Sequence, residues 1–192
     1  MLKPEQLHLY QKQAVAHMWG CPDSMLWLGT GLGKTAVTLT SITQRMKYGQ
    51  VHKTLIFGPL RVVQSVWERE ARKWEHTQHL KFSVMCGSKQ ERERALFRDA
   101  DIYLTNYENM NWLTQELDHY YCSAGDVLPF QMVVYDEVTM LKNSTSLRMK
   151  GGNRDKADRK GEIHKIKILG WRMMLDKFKY RVGLTGTPAS NG

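Results

Sequence analysis

Apolar residues fall along this chain in short unbroken runs, separated by longer stretches in which they recur at helical spacing. Six runs read as strands: Met25–Leu28, Thr54–Phe57, Phe82–Met85, Ile102–Thr105, Met132–Tyr135 and Arg181–Thr185. Leu7, Tyr10, Val15, Met18 and Trp19 predict an amphipathic helix over residues 5–19. Further helices are predicted from Thr35 to Tyr48, stopped by Gly49, over 62–74 with Val63, Val66, Trp67 and Trp74, and over the highly charged 89–98. Short apolar strands alternating with helices predict an α/β fold, with a mostly parallel sheet covered on both faces. In such a sheet, functional groups collect beyond the carboxyl ends of the strands. The polar signatures of this chain fall at those ends: Gly29 onward, Pro59, Asn106, Asp136 and Thr185.

One stretch departs from the alternation. Residues 142–167 hold nine Lys or Arg against three acids, with Gly151-Gly152 in the middle and few apolar positions. This is expected to be a long exposed, flexible insertion. It supplies most of the net charge of +9, which, with a pI near 9.5, favours an anionic partner, nucleic acid first. The stretch either touches phosphates or is a solvated insertion, and composition leaves both open. A length of 192 residues suits one well-buried domain, residues 1–192. Cys21, Cys86 and Cys122 lie far apart with no Cys-x-x-Cys spacing, which speaks against a zinc site or a disulfide framework and suits a reducing compartment. The polar start of the chain lacks a signal-peptide core, and no apolar run approaches the roughly 20 residues that span a bilayer. A cytoplasmic protein with no membrane partner is the expectation.

The stretch Leu28-Gly-Thr-Gly-Leu-Gly-Lys-Thr35 lies between the first strand and the second helix. A glycine-rich turn there frees backbone N–H groups to face an anion, and the helix start adds its positive dipole. Gly31 and Gly33 would shape a phosphate cradle, Lys34 would reach the β- and γ-phosphates of a nucleotide, and the Thr35 hydroxyl would ligate magnesium. Leu28 stands where the longer phosphate-loop pattern has glycine, so the match is to the shorter Gly-x-Gly-Lys-Thr. The strand ending in Asp136-Glu137 supplies the usual partner: Asp136 for the magnesium ion, Glu137 to orient and deprotonate the attacking water. The chemistry is hydrolysis of a nucleoside triphosphate, with ATP and Mg2+ as cofactors. Gln11 has an acceptor and donors on one amide, as reading an adenine edge requires, although a glutamine on a helix, taken alone, more often faces solvent.

These motifs, in this order, resemble the first RecA-like lobe of superfamily 2 helicases, and most of all its Swi/Snf-type branch of DNA-dependent ATPases. Leu7-x-x-Tyr10-Gln11 resembles the adenine-reading element, and Gly31-Leu-Gly-Lys-Thr35 motif I. Gly58-Pro-Leu60 followed by Trp67-Glu-Arg-Glu70 is similar to motif Ia and its helix. Leu104-Thr-Asn-Tyr-Glu108 resembles the next DNA-side motif. Asp136-Glu-Val-Thr139 stands for motif II, with Lys142-Asn143 similar to the segment that follows it. Leu184-Thr-Gly-Thr-Pro-Ala-Ser-Asn191 resembles motif III and is the most specific of the set. Similar chains are frequent in bacteriophage genomes. The resemblance implies a three-layer RecA-like P-loop NTPase domain that couples ATP hydrolysis to movement on nucleic acid, duplex DNA favoured. It places Arg61, Asn106 and Tyr107 as candidates for nucleic-acid backbone contacts, without sequence specificity. It makes Thr139, Thr185 and Thr187 the residues that link the nucleotide site to DNA.

Three departures bear on activity. Thr139 stands where the family often has His, and Leu28 where it has a small residue. The chain stops just after motif III, so the second RecA-like lobe, which supplies arginines to the ATP site in this family, is absent. On this reading the chain alone binds Mg·ATP weakly and hydrolyses it poorly. Two other classes are compatible with parts of the sequence. A small P-loop kinase would share the loop but not the Leu-Thr-Gly-Thr-Pro segment. A nucleic-acid- or partner-binding module with lost or weak turnover would tolerate Leu28 and Thr139.

Overall fold

The central strands present apolar side chains to both faces of one sheet, and each face is closed by its own layer of helices. The computed structural model describes residues 1–122, 127–144, 152–157, 163–168 and 170–186. Its strands are β1 (Asp23–Trp27), β2 (Thr54–Gly58), β3 (Phe82–Val84), β4 (Ile102–Asn106), β5 (Met132–Asp136), β6 (Gly152–Ala157), β7 (Ile163–Ile168) and β8 (Tyr180–Thr185). Six of them form a sheet in the order β1-β8-β5-β2-β4-β3, and every pairing in it is parallel. The helices are α1 (Leu9–Gly20), α2 (Lys34–Lys47), α3 (Leu60–Ala71), α4 (Lys89–Leu96) and α5 (Met110–Leu117).

Because side chains alternate along a strand, each central strand feeds both layers. Ile56, Leu104 and Val134 pack with Val15 and Met18 of α1, Val37, Leu39 and Ile42 of α2, and Val63, Trp67 and Ala71 of α3. Their neighbours Leu55, Phe57, Tyr103, Val133 and Tyr135 pack on the opposite face, with Ala95 and Leu96 of α4, Met110, Leu113 and Leu117 of α5, and Trp171 and Met174. All five residues of β2, β4 and β5 are buried, which is why these strands read in sequence as continuous apolar runs. The expected α/β architecture, three layers around a parallel sheet, is the one observed.

Four elements differ from the sequence expectation. The predicted helix over 5–19 is broken at His8: Pro4–Gln6 is a 3-10 turn, and α1 begins at Leu9. The Gln11 side-chain oxygen accepts the His8 N–H at 2.9 Å, and this cap sets the helix start. The first strand runs Asp23–Trp27 rather than Met25–Leu28 and alternates, with Ser24 and Leu26 buried and Met25 and Trp27 57% and 62% exposed. It is the edge strand of the sheet among the described residues, and its alternation shows that packing covers only one of its faces. Helix α5, with Met110, Leu113 and Leu117 on its buried side, was not anticipated. Finally, β6 and β7 form an antiparallel ladder of their own, from Gly152↔Ile168 to Ala157↔Ile163, within the stretch expected to be a flexible loop. Ile163, Ile166 and Ile168 give β7 the β-branched content that suits a strand.

One buried charge ties the first layer together. Arg45, 2% exposed near the end of α2, donates to the carbonyls of Met18 and Trp19 at the end of α1 and to Gln50. Its guanidinium lies 3.7 Å from the Tyr180 ring centroid and 5.3 Å from that of Trp19. Arg45 therefore caps one helix from another and rests on β8 through a cation–π contact. Arg45→Met removes the donors but keeps the stem, leaving two helix-end carbonyls buried. We expect a loss of about 3 kcal/mol in urea unfolding, from the stranded acceptors and the lost ring contact together. A loss under about 1 kcal/mol would mean that water replaces the guanidinium at no cost.

Candidate nucleotide-binding site

The segment between β1 and α2 closes tightly. Gly31 and Gly33 have φ of 81° and 80°, a left-handed backbone that glycine adopts without a steric penalty. A Cβ on Gly33 would lie 2.3 Å from Gln11 Nε2, so a larger residue there would also displace the Gln11 amide. The loop is held at three points. The Leu28 N–H donates to the Thr185 carbonyl of β8 at 3.3 Å. The Leu32 carbonyl accepts from Gln11 Nε2 at 3.2 Å and from the Tyr10 hydroxyl at 3.3 Å. Lys34 Nζ donates to the Leu28 carbonyl at 2.9 Å. The last contact uses a backbone oxygen, so the unusual side chain at position 28 does not alter it. Thr35 sits half-buried in the first turn of α2, where the free N–H groups and the dipole of a 14-residue helix begin.

Opposite the loop, β5 ends in Asp136, which is 7% exposed. Its carboxylate Oδ2 accepts the Trp67 indole N–H at 3.1 Å, and its backbone carbonyl accepts the Tyr107 hydroxyl at 2.8 Å. Gly58, at the end of the adjacent β2, faces it: a Cβ there would sit 3.3 Å from Asp136 Cβ and 3.2 Å from Val63 Cγ1. Burial pushes the Asp136 carboxyl above the ordinary carboxylate range, and the neighbouring charge of Glu137 adds to this. The Trp67 hydrogen bond and the charge of Lys34 act in the opposite direction. Glu137 follows with φ of 54°, among the described residues the one non-glycine position with positive φ. A left-handed glutamate is uncommon, and such strain gathers at functional sites.

The loop and the end of β5 meet at Gly186, just past β8. A Cβ at Gly186 would lie 3.0 Å from Lys34 Nζ, 3.2 Å from Thr30 Oγ1 and 3.6 Å from Glu137 Oε1. Three polar side chains thus converge on Gly186, where a larger residue would crowd Lys34 and Thr30. Lys34 and Glu137 lie close to one point and both act electrostatically on Asp136, with Gly31, Gly33 and Thr35 in the loop and helix start beside Lys34. Gln11 is also at the loop. Its amide caps α1 through the oxygen and holds Leu32 through the nitrogen, and each amide group retains one further hydrogen-bonding capacity. Thr30 was missed, since a threonine between two glycines carries no signal of its own in sequence. Trp67 was quoted for its place in a motif, but nothing in the sequence tied its indole to Asp136.

These features fit a nucleoside triphosphate with magnesium. Open glycine backbone, a lysine ammonium and a helix start face one space, and a carboxylate and a hydroxyl stand at its border. Among the described residues no three His, Cys, Asp or Glu side chains cluster as a metal cage. Magnesium, which is held by one or two carboxylates plus substrate phosphates, does not need one.

The remaining candidates separate. Arg61 is exposed in the first turn of α3. Asn106 is 8% exposed and belongs to a polar network, donating to Glu108 at 2.5 Å and accepting from Asn109 at 2.5 Å. Tyr107 is corrected outright: it is 1% exposed, stacked on Phe57 with its hydroxyl turned to Asp136, and so does not present itself to a nucleic-acid backbone. The cause is that the chain turns directly after β4 into a 3-10 turn, which folds the ring back against Phe57 of β2. Thr185 is 8% exposed at the end of β8, joined to the loop through Leu28. Thr139 is half-buried in the turn Val138–Ser144, beside the Met140 N–H that donates to the Glu137 carbonyl. Thr187 lies outside the described residues. No helix among the described residues is long and apolar enough to cross a membrane.

Residues 10–160 match the model of the SNF2-related domain. The chain is 36% identical over 185 residues to protein p41 of Acyrthosiphon pisum secondary endosymbiont phage 1, covering 95% of this chain and 36% of that protein. Its fold is similar to the SWI2/SNF2 ATPase core of Sulfolobus solfataricus solved with double-stranded DNA, at a TM-score of 0.66 and 24% identity over 97% of this chain and 33% of that one. It is also similar to the UvsW helicase of bacteriophage T4, at a TM-score of 0.60 and 17% identity over 94% of this chain and 52% of that one. The Hef helicase domain of Pyrococcus furiosus gives a TM-score of 0.59 at 19% identity, over 97% of this chain and 34% of that one. The chain thus spans about a third of the length of the phage relative and of the Sulfolobus core.

Proposed function

Because the chain belongs to the SNF2-related domain family, we propose that it is the ATP-binding lobe of a DNA-dependent motor that couples ATP hydrolysis to movement along nucleic acid. The convergence of Lys34, Thr30 and Glu137 on Gly186 is the observation that supports this reading most. It brings the phosphate loop, the acidic end of β5 and the end of β8 to one place, as a hydrolase with a sensor of nucleotide state requires. In this reading Lys34 binds the β- and γ-phosphates and the α2 N–H groups surround them. Thr35 and Asp136 hold magnesium, which supplies charge neutralisation at the phosphates. Gln11 contacts the base, and Glu137 accepts the proton of the attacking water. Thr139, Thr185 and Thr187 pass the state of the site to the nucleic-acid side.

Duplex DNA is the favoured track and a second RecA-like lobe the partner that completes the site. Exposed Arg61 and the basic stretch 142–167, with its β6–β7 ladder, are the proposed phosphate contacts; they add affinity that falls with salt and no base preference. In such motors nucleotide closes the cleft between lobes and hydrolysis reopens it, which advances the pair along one strand. The compartment proposed is the cytoplasm of a bacterial or phage-infected cell.

Turnover of Mg·ATP by the full-length protein, measured with and without duplex DNA, tests the proposal. Duplex DNA is expected to stimulate the wild type, and Lys34→Ala to bring turnover to background at every DNA concentration. Equal rates with and without DNA, or a Lys34→Ala variant as active as wild type, would exclude a DNA-dependent ATPase.

A further inference from the structure

We propose that Trp67 is a positioning residue for Asp136, through which the segment after β2 fixes the carboxylate that the proposed function assigns to magnesium. The inference rests on that assignment. Trp67 is fully buried on α3, so packing fixes the direction of its indole N–H, which meets Asp136 Oδ2 at 3.1 Å. Gly58 makes the approach possible, because any Cβ there would press on both Val63 of α3 and Asp136.

The chemistry of the donor matters. A carboxylate this deeply buried needs a hydrogen bond, and a lysine or arginine would provide one together with a positive charge. That charge would neutralise the carboxylate and weaken its attraction for a dication. The indole is a neutral donor without acceptor capacity. It occupies one oxygen and leaves the negative charge of the group intact for a metal. A second neutral donor acts on the same residue: Tyr107, just beyond β4, gives its hydroxyl to the Asp136 carbonyl. That carbonyl belongs to the peptide leading into Glu137 with its φ of 54°, so the bond also steadies the left-handed turn. Asp136 is therefore gripped from α3 and from the end of β4. Both segments resemble nucleic-acid-side motifs, and a shift of either on binding DNA would move the carboxylate directly.

Trp67→Phe keeps an aromatic ring and deletes the N–H, and replacing Trp67 with benzothienylalanine preserves the bicyclic shape as well. The readout is the affinity of the full-length protein for ADP as magnesium is titrated, by calorimetry, against affinity in EDTA. Outer-shell partners of metal ligands typically contribute 10–100-fold in metal affinity. The magnesium concentration for half-maximal effect is therefore expected to rise about 10-fold or more in both variants, with ADP affinity in EDTA unchanged. A purely structural Trp67 would lower the melting temperature of the phenylalanine variant and leave the half-maximal magnesium concentration where it is in wild type. That result, or a benzothienylalanine variant matching wild type, overturns the inference and leaves the proposed function standing. If ADP binding by wild type ignores magnesium altogether, the assignment of Asp136 fails and the inference fails with it.

Discussion

Glu137→Gln is expected to lower DNA-stimulated ATP turnover of the full-length protein by about 10²–10⁴-fold, the usual contribution of a positioned general base. Nucleotide affinity is expected to stay within about threefold, because only the proton-accepting charge is removed and no phosphate contact depends on it. The substitution is close to isosteric, and glutamine meets the same steric cost as glutamate at a φ of 54°, so the backbone has no reason to rearrange. A secondary effect has a definite sign. The charge of Glu137 is one of the causes that raise the Asp136 carboxyl. Its loss makes Asp136 easier to ionise, so magnesium-dependent binding is expected to hold or tighten in the variant. Rapid-quench measurement of a single turnover, with equilibrium binding of a fluorescent ATP analogue alongside, separates the two quantities. Turnover within tenfold of wild type would remove Glu137 from the chemistry and favour a binding module whose hydrolysis is incidental.

ATP turnover by residues 1–192 alone is expected to be close to that of their Lys34→Ala variant, and joining a second lobe to raise it by about 10³–10⁵-fold. The chain spans 36% of its phage relative and 33% of the Sulfolobus core, which leaves length for a second lobe in each. The proposed site assigns Lys34 to the phosphates, Asp136 to magnesium and Glu137 to the attacking water. The charge that builds on the transferring phosphoryl group in the transition state calls for a further cation, and an arginine supplied from a facing lobe has an effect of this size. Mixing the chain with separately expressed second lobe at increasing concentration, with duplex DNA as a common track, measures the gain. Strong turnover by residues 1–192 with duplex DNA alone would mean that the chain completes its own site, for example by self-association.

The parts of the fold legible in sequence were those where one local pattern had one physical solution. Strands β2, β4 and β5 are buried on both faces and read as unbroken apolar runs. The turn from Gly31 to Gly33 is legible because its left-handed backbone leaves few alternatives to glycine. The positions of Lys34 at the start of α2 and of Asp136-Glu137 at the end of β5 were legible in the same way. What escaped depends on distance across the chain. That Trp67 donates to Asp136, 69 residues away, has no trace in spacing. The inward turn of Tyr107 is likewise a packing outcome, since a tyrosine after a strand can as well face solvent. The bounds of β1 escaped as well: Ser24 and Leu26 are buried and Met25 and Trp27 exposed, so packing covers one face of the strand, and which face is covered is a tertiary outcome. Helix α5 had a readable signal in Met110, Leu113 and Leu117, three apolar residues one and two turns apart.

The place of β1 in the sheet has a consequence for the order of events during synthesis. Among the described residues β1 pairs with β8 alone, and Asp23 and Arg181, bonded across that pair, are 158 residues apart. At roughly 5–20 residues per second, a ribosome needs on the order of 10–30 s to make the strand that receives β1 after β1 itself has emerged. Through that interval Leu26 lacks its β8 neighbour Leu184, and Met25 and Trp27 lie on a strand with no hydrogen-bonded partner. The phosphate loop, latched to β8 through Leu28 and Thr185, is thus among the first parts made and the last to be placed. Nascent chains halted before β8 should be aggregation-prone and unable to retain nucleotide, and competence should appear abruptly as the strand clears the exit tunnel.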